Sequence, residues 1–262
     1  MTGPVSSTQQ DGVRTITLQR PEAMNALDLA TKEALLSAVR EAAADRSARC
    51  VVLTGSGRAF CVGQDLKEHV TLMQQDPAQV WSTVREHYNP VIELLATMDK
   101  PVVAAVNGVA AGAGAALAFA ADLRYVADTA GFNLAFAGVA LSCDSGSSWS
   151  LPRLVGMAKA KELLLLPRTV PAAEAVELGL VTELVPAAEL ADRVRAVAAQ
   201  LAAGPTLAYG AMRRALAFSA GSSLPAALAH EADLMDRTGT SADHQRAVAA
   251  FLAKQTPEFR GE

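Results

Sequence analysis

The stretch Pro101–Asp122, PVVAAVNGVAAGAGAALAFAAD, decides how this chain is to be read. Val102–Val106 is a short continuous apolar run, the pattern of a buried strand. Asn107-Gly108 interrupts it with a turn dipeptide. Gly112-Ala113-Gly114 then opens an Ala-rich apolar segment of helical length. Strand, glycine loop and helix start together make an anion site, because the first helical N–H groups have no partner within the helix. Glycine lets a ligand approach the backbone closely. Asp122 is the only charged residue in the stretch. A ligand here is therefore polarised by backbone N–H groups rather than by a cation, which suits a developing oxyanion better than a phosphate.

Working outward, Val5–Gln9 and Val13–Leu18 flank Asp11-Gly12 and predict a β-hairpin. Arg20-Pro21 ends the second strand. Asp28 is placed as the N-cap of a helix with apolar positions Leu29, Leu35, Leu36, Val39 and Ala43. Cys50–Thr54 predicts a strand, closed by Gly55-Ser56-Gly57, and Arg58–Leu66 a loop. Asp76-Pro77 is expected to cap a helix carrying Val80, Trp81, Val84, Tyr88, Val91, Leu94 and Leu95, kinked or divided at Pro90.

Beyond Asp122, Leu123–Ala127 and Phe132–Leu134 read as strands. Asp144–Gly156, Ala158–Leu166 and Thr169–Leu178 read as helices, and Val181–Val185 as a strand. From Pro186 the pattern is helical alone: Ala188–Ala203, Pro205–Ala217, then Leu224–Lys254 broken near Gly239. Strand–helix alternation followed by a helical tail predicts an α/β core, residues 1–204, with a C-terminal helical region, 205–262, divided at Gly204-Pro205.

The 262 residues are 51% hydrophobic, enough for a large core. A formal charge of -4 gives no electrostatic reason to expect nucleic acid or an anionic membrane as partner. Met1–Gln10 is polar, and the longest apolar runs are interrupted before reaching membrane length. Cys50, Cys61 and Cys143 are an odd, unpatterned set, the usage expected of reduced thiols in a cytoplasm. The four histidines lie far apart without HxxxH or CxxC spacing, so no metal site is expected. The last glycine of a G-x-G-x-x-G starting at Gly112 is replaced by Leu117, although Asp128 falls near the acidic spacing of a dinucleotide site. No G-x-S-x-G occurs, which excludes an α/β-hydrolase elbow.

With these residues in view, the sequence resembles the crotonase family (enoyl-CoA hydratase/isomerase) over essentially its full length. The resemblance is carried by Arg20-Pro21 with Asn25-Ala26-Leu27, AFCVGQDL (Ala59–Leu66) and AAVNGVAAGAG (Ala104–Gly114). DLRYVA, LPRLVG, AVELGLV and FLAKQTPEFRG (Phe251–Gly261) complete it. YNPVIELLATMDKP and CDSGSSWSLPRLVG look most like the branch that isomerises the ring epoxide of phenylacetyl-CoA, with some likeness to 4-chlorobenzoyl-CoA dehalogenases. The resemblance implies a spiral of ββα units with perpendicular short sheets. It also implies a helical C-terminal region that builds a trimer or a dimer of trimers. It implies acyl-CoA thioester substrates, with coenzyme A as part of the substrate and no further cofactor.

Carried over position by position, the backbone N–H groups of Val62 and Ala113 would hold the thioester oxygen. Met24, Ala26, Val62, Gly63, Gln64, Asp65, Leu66, Gly112 and Phe136 would line the substrate path. Asp65 also reads as a helix cap shaping its loop. Where a family hydratase has its two glutamates, this sequence has Ala116 and Phe136, neither of which can move a proton. Asp144 matches the acid/base aspartate of the ring-epoxide branch; as a residue alone it also reads as a helix N-cap. Phe132, Phe136 and Trp149 are expected to wall that carboxylate and lift its pKa. Glu93 is a second candidate, its alternative being a solvated helix face. The dehalogenase reading asks for a histidine near Glu93 and a tryptophan at position 136, neither of which is found. A catalytically inactive acyl-CoA-binding protein is the rival from another class, because both hydratase glutamates are gone.

Overall fold

β1 (Val5–Gln10) and β2 (Val13–Leu18) pair antiparallel over Asp11-Gly12, whose φ values of 48° and 78° are both left-handed. Two such residues in succession are what a tight I′ hairpin needs. The structure, a computed structural model, describes residues 3–262, the side chains of 77–79 excepted. The first two residues of the polar Met1–Gln10 stretch thus lie outside it.

α1 (Leu29–Ala44) starts where expected, with the Asp28 carboxylate accepting the Thr31 N–H at 2.9 Å. Three successive passes of the chain then each lay down a long strand followed by a short one. These are β3 (Cys50–Gly55) with β4 (Ala59–Cys61), β5 (Val102–Val106) with β6 (Val109–Ala111), and β7 (Leu123–Ala127) with β8 (Gly131–Asn133). β9 (Thr169–Pro171) and β10 (Glu183–Val185) complete the sets. The long strands extend the hairpin into a six-stranded sheet, β1-β2-β3-β5-β7-β10, parallel from β2 onward. The short ones form a four-stranded sheet, β4-β6-β8-β9. All five residues of β5 are buried, as a central parallel strand covered on both faces must be. The repeat of long strand, short strand and helix is the expected spiral, and the fold class is the expected α/β crotonase type.

Several elements differ from the sequence reading. Ala59–Cys61 is a strand rather than loop, and Val109–Ala111 is another that apolar periodicity does not separate from β5. Each is three residues long, too short for a period-2 pattern to show. Asp65 caps an additional helix, α2 (Leu66–Gln75). Asp76 closes α2, its N–H donating to Leu72 O, and stands directly before the next helix, the position expected of it. A cap bond there falls on residues 77–79, whose side chains lie outside the described ones. The helix expected to carry Val80 to Leu95, kinked or divided at Pro90, is divided as α3 (Pro77–Thr83), a π-turn at Val84–Tyr88, and α4 (Asn89–Thr97). The disruption sits in the turn before Pro90, where the missing proline N–H and its ring displace the preceding carbonyls.

After α5 (Ala113–Phe119), α6 (Ser147–Leu165) is bent at Gly156, whose φ of 77° separates the two predicted helices. Thr169–Leu178, read as one helix, begins as β9, paired with β8, and only Ala172–Glu177 is helical (α7). α8 (Leu190–Ala203) covers β3, β5 and β7. α9 (Thr206–Ser219), α10 (Leu224–Gly239) and α11 (Ala242–Leu252) follow. Arg213 of α9 donates to the carbonyls of Leu95 at 2.6 Å and Lys100 at 2.8 Å, docking this tail on the end of α4. Asp243 gathers the chain terminus, accepting the N–H groups of Arg260 at 2.7 Å and Gly261 at 2.8 Å.

Candidate active site

The start of α5 and the loop after β4 are pressed together by glycines. A Cβ built on Gly63 (φ 84°) would stand 2.9 Å from Ala111 O and 3.2 Å from Ala113 N. Gly63 thus lies directly against the first N–H of α5. Ala113 is the N1 residue of that helix, so its N–H has no partner within the helix. Gly112 (φ 51°) turns the chain from β6 into α5, and nothing lies within 4 Å of the position its Cβ would take. All seven residues of α5 are buried, which fixes this N-terminus rigidly.

The segment Met24–Leu27 holds the other side of the loop. Leu27 N–H donates to Gly63 O at 2.8 Å, and Asp65 N–H returns to Leu27 O at 3.1 Å. Met24 and Asn25 adopt left-handed φ values of 51° and 56°. Asn25, fully buried, satisfies the Ala59 carbonyl at 2.8 Å. Arg20 donates to Ala26 O at 2.6 Å and pairs with Asp65 and Asp28, each at 3.1 Å. Asp65 in turn accepts the N–H groups of Lys67 and Glu68. Burial works to raise its carboxyl, but the Glu68 N–H, Arg20 and the Lys67 N–H outweigh it and hold Asp65 below the usual range. Met24, Ala26, Gly63, Gln64 and Asp65 therefore meet at one place, with Leu66 beside them, exposed at the start of α2.

Gln64 is clamped from three elements. Its Oε1 accepts the Tyr88 hydroxyl at 2.5 Å and the Lys32 ammonium at 3.4 Å; its Nε2 donates to Glu68 Oε2 at 3.1 Å. Lys32 is 3% exposed and pairs with Glu68 at 3.1 Å. Lys32 and Tyr88 line a small cavity together with His87, Ile92, Leu117 and Ser145. Sequence reading missed these residues, because Lys32 and Tyr88 look like ordinary members of helix faces. The one available signal was position: Tyr88 opens the YNPVIELLATMDKP segment.

Asp144 stands next to that cavity, behind Ser145, which lines it and whose hydroxyl donates to Asp144 Oδ1 at 2.9 Å. Burial raises the Asp144 carboxyl above its ordinary range, with the Ser145 hydrogen bond opposing it. Burial first, then the Asp144 charge, pushes the Tyr88 phenol up. Asp144 is not a helix cap. The N-cap of α6 is Gly146 (φ 71°), and the Asp144 side chain accepts none of that helix's N–H groups.

Two of the three aromatic residues expected to wall Asp144 are placed otherwise. Phe132 packs on Phe119 in the core, with ring centroids 5.1 Å apart. Trp149 is 46% exposed beneath the Arg153 guanidinium. Tyr88 is the aromatic group that shares a cavity with the Asp144 segment. Ala116 and Phe136 are both buried. Glu93 is exposed on α4, the solvated-face arrangement. A histidine does line the cavity, His87, whose Nδ1 lies 3.2 Å from Thr83 Oγ1, whereas position 136 remains phenylalanine. Among the described residues no group of His, Cys, Asp and Glu could hold a metal ion. Among them, too, no helix is long and apolar enough to cross a membrane.

Two sheets wound together by repeated long-strand, short-strand passes, with a glycine loop feeding a buried helix, define a crotonase-fold protein. A profile described as "Enoyl-CoA hydratase/isomerase" matches residues 8–262, and the chain belongs to that family of enzymes. It is 44% identical over 251 residues to a "Probable enoyl-CoA hydratase" of Rhodobacter capsulatus, covering 96% of this chain and 95% of the relative. It is 38% identical over 253 residues to a 1,2-epoxyphenylacetyl-CoA isomerase of Escherichia coli, covering 97% of each. A crystallised enoyl-CoA hydratase/isomerase candidate from Mycobacterium abscessus superposes with a TM-score of 0.94 at 46% identity, over 98% of this chain and 100% of that one.

Proposed function

We propose that the chain is an acyl-CoA isomerase that shifts a double bond, or isomerises a ring-derived acyl group, through a thioester enolate. The Val62 and Ala113 N–H groups hold the enolate oxygen, and Asp144 moves the proton. Met24, Ala26, Gly63–Leu66 and Gly112 form the path for the coenzyme A ester, with Phe136 on the acyl side. Coenzyme A enters as part of the substrate, and the reaction needs no other cofactor.

The observation that carries this reading is the pairing of one half-buried carboxylate, Asp144, with apolar side chains at both hydratase positions, Ala116 and Phe136. Adding water requires an acid and a base acting on a positioned water molecule. Moving a double bond requires one carboxylate that removes a proton at one carbon and returns it at another. The test measures isomerisation of a 3-enoyl-CoA against hydration of crotonyl-CoA by the same preparation. Faster isomerisation supports the reading. Faster hydration would restore the hydratase reading, which the name of the Rhodobacter relative favours. Inactivity on a panel of enoyl-CoA isomers would leave an acyl-CoA-binding protein.

The helical region 205–262 is proposed as the assembly surface of a trimer or dimer of trimers. Leu216, Leu224, Leu228, Met235, Phe251 and Leu252 are all exposed on α9–α11. So many large apolar side chains exposed in one region argue for an interface. A stable monomer in light scattering at micromolar concentration would overturn it. The cytoplasm is the proposed location, supported by three free thiols.

A further inference from the structure

We propose that Ser145 is a positioning residue for Asp144, its hydroxyl holding one carboxylate oxygen so that the other is free to carry the substrate proton. This rests on the reading of Asp144 as the acid/base.

Ser145 has a φ of 51° and is followed by Gly146 at 71°. The left-handed region disfavours a residue with a Cβ, and strain of this kind persists where the surroundings enforce it. Here the strain is not explained by helix capping, because α6 takes no side-chain cap. The double left-handed turn has a different consequence. Successive side chains normally diverge, but this turn brings the Ser145 hydroxyl to 2.9 Å from Asp144 Oδ1. The turn is held from outside, since a Cβ on Gly146 would stand 3.0 Å from Ile92 Cγ2 of α4. Ser145 is 2% exposed and faces the cavity lined by Tyr88, so its hydroxyl has little access to water as an alternative partner.

Among the described residues no side chain other than Ser145 donates to the Asp144 carboxylate, whose one further donor is the residue's own backbone N–H, and no side chain donates to Oδ2. That oxygen is the one able to take a proton from the carbon next to the thioester. The C–H electron pair then passes into the enolate, the proton returns from Oδ2 to the far carbon, and nothing is oxidised or reduced. The titratable groups facing this cavity are Tyr88 and His87 from the π-turn and Lys32 from α1, with Glu68 behind Lys32 and Cys143 on the same segment as Asp144. A hydroxyl donating to the carboxylate favours its charged form and opposes burial. Loss of that donor therefore moves the Asp144 titration upward.

The test records pH–rate profiles for 3-enoyl-CoA isomerisation by the full-length wild type, Ser145→Ala, Ser145→Gly and Asp144→Asn. Both Ser145 variants should move the acidic limb upward by about one pH unit and lower kcat about tenfold with little change in KM. Ser145→Gly should melt above Ser145→Ala, because glycine accepts the left-handed turn without strain. A purely structural serine predicts the opposite: Ser145→Gly would keep the wild-type limb and rate, and that result overturns the proposal. If Ser145→Ala fails to fold, Ser145→Gly carries the test alone. If turnover is too slow for a profile, the 13C carboxyl titration of Asp144 reads the same displacement, and an unmoved titration overturns the proposal. Full activity in Asp144→Asn instead overturns the assignment of Asp144 itself, which separates that failure from a failure at Ser145.

Discussion

Gly114 of α5 sits so tightly on β4 that a Cβ there would stand 2.0 Å from the carbonyl oxygen of Cys61. The helix start and the loop after β4 can approach each other only because position 114 has no side chain. Gly114→Ala forces backbone away from backbone, since the obstructing atom is not a side chain that can swing aside. The variant should lose roughly 3 kcal/mol or more of stability. In the fraction that folds, isomerase activity should fall further than stability alone explains. Urea unfolding with parallel kinetics measures both, and a variant with wild-type midpoint and rate would show that the close approach is dispensable.

The proposed oxygen-holding donors are backbone groups, so side-chain deletion should spare them. Val62→Ala should leave turnover nearly intact, whereas Val62→Pro removes one donor. Ala113 offers the cleaner experiment. It is the N1 residue of α5, the helix position that best tolerates proline. Ala113→Pro should keep the helix while lowering kcat by roughly 10²–10³. If circular dichroism shows the fold retained and kcat is unchanged, the oxygen is held elsewhere.

Tyr88 and Gln64 tie that loop to the π-turn. Tyr88→Phe deletes the hydroxyl that Gln64 Oε1 accepts at 2.5 Å and leaves Lys32 as its remaining donor. The expected stability loss is about 1 kcal/mol. Gln64→Ala should cost more, because it leaves the buried Lys32–Glu68 pair and the Tyr88 hydroxyl short of a partner. Double-mutant analysis should give coupling between positions 64 and 88; strictly additive losses would argue against a shared network.

The sequence makes legible what is long, periodic or capped: the hairpin at Asp11-Gly12, α1 from Asp28, β5, and the break at Gly156. It also makes legible the glycine loop, since Gly112-Ala113-Gly114 announces a helix N-terminus on its own terms. β4, β6 and β9 stay hidden because three residues carry no period and each merges with a neighbouring loop, glycine turn or helix pattern. The equally short β8 and β10 lie at isolated apolar runs. The polar lining of the cavity stays hidden for another reason. Lys32 and Tyr88 are 32 and 24 positions from Gln64 in the chain, so only tertiary packing brings them together. Asp144 is found by resemblance, but its surroundings are not. An aspartate before a helix ordinarily reads as a cap, and the left-handed turn at Ser145-Gly146 is what removes it from that role.

Asp144→Asn decides the reaction class and can be separated from a folding defect by the sign of its stability effect. Burial raises the folded-state pKa of this carboxyl above its unfolded value near 3.8. The folded protein therefore binds the proton more tightly than the unfolded chain does. The contribution of Asp144 is most favourable below the unfolded pKa and is lost as pH rises through the folded one. At neutral pH the carboxylate is a net cost to the fold, and it caps no helix whose loss could offset that. Asp144→Asn should therefore melt no lower than wild type at neutral pH, with any advantage shrinking as pH falls toward about 4. Over the same range it should lose 3-enoyl-CoA isomerisation by about 10² or more, because the amide cannot take the proton. A stable but inactive variant is the signature of a group held for chemistry at the expense of stability. If the variant is fully active, the base lies elsewhere, and His87, on the same cavity wall, becomes the next residue to replace.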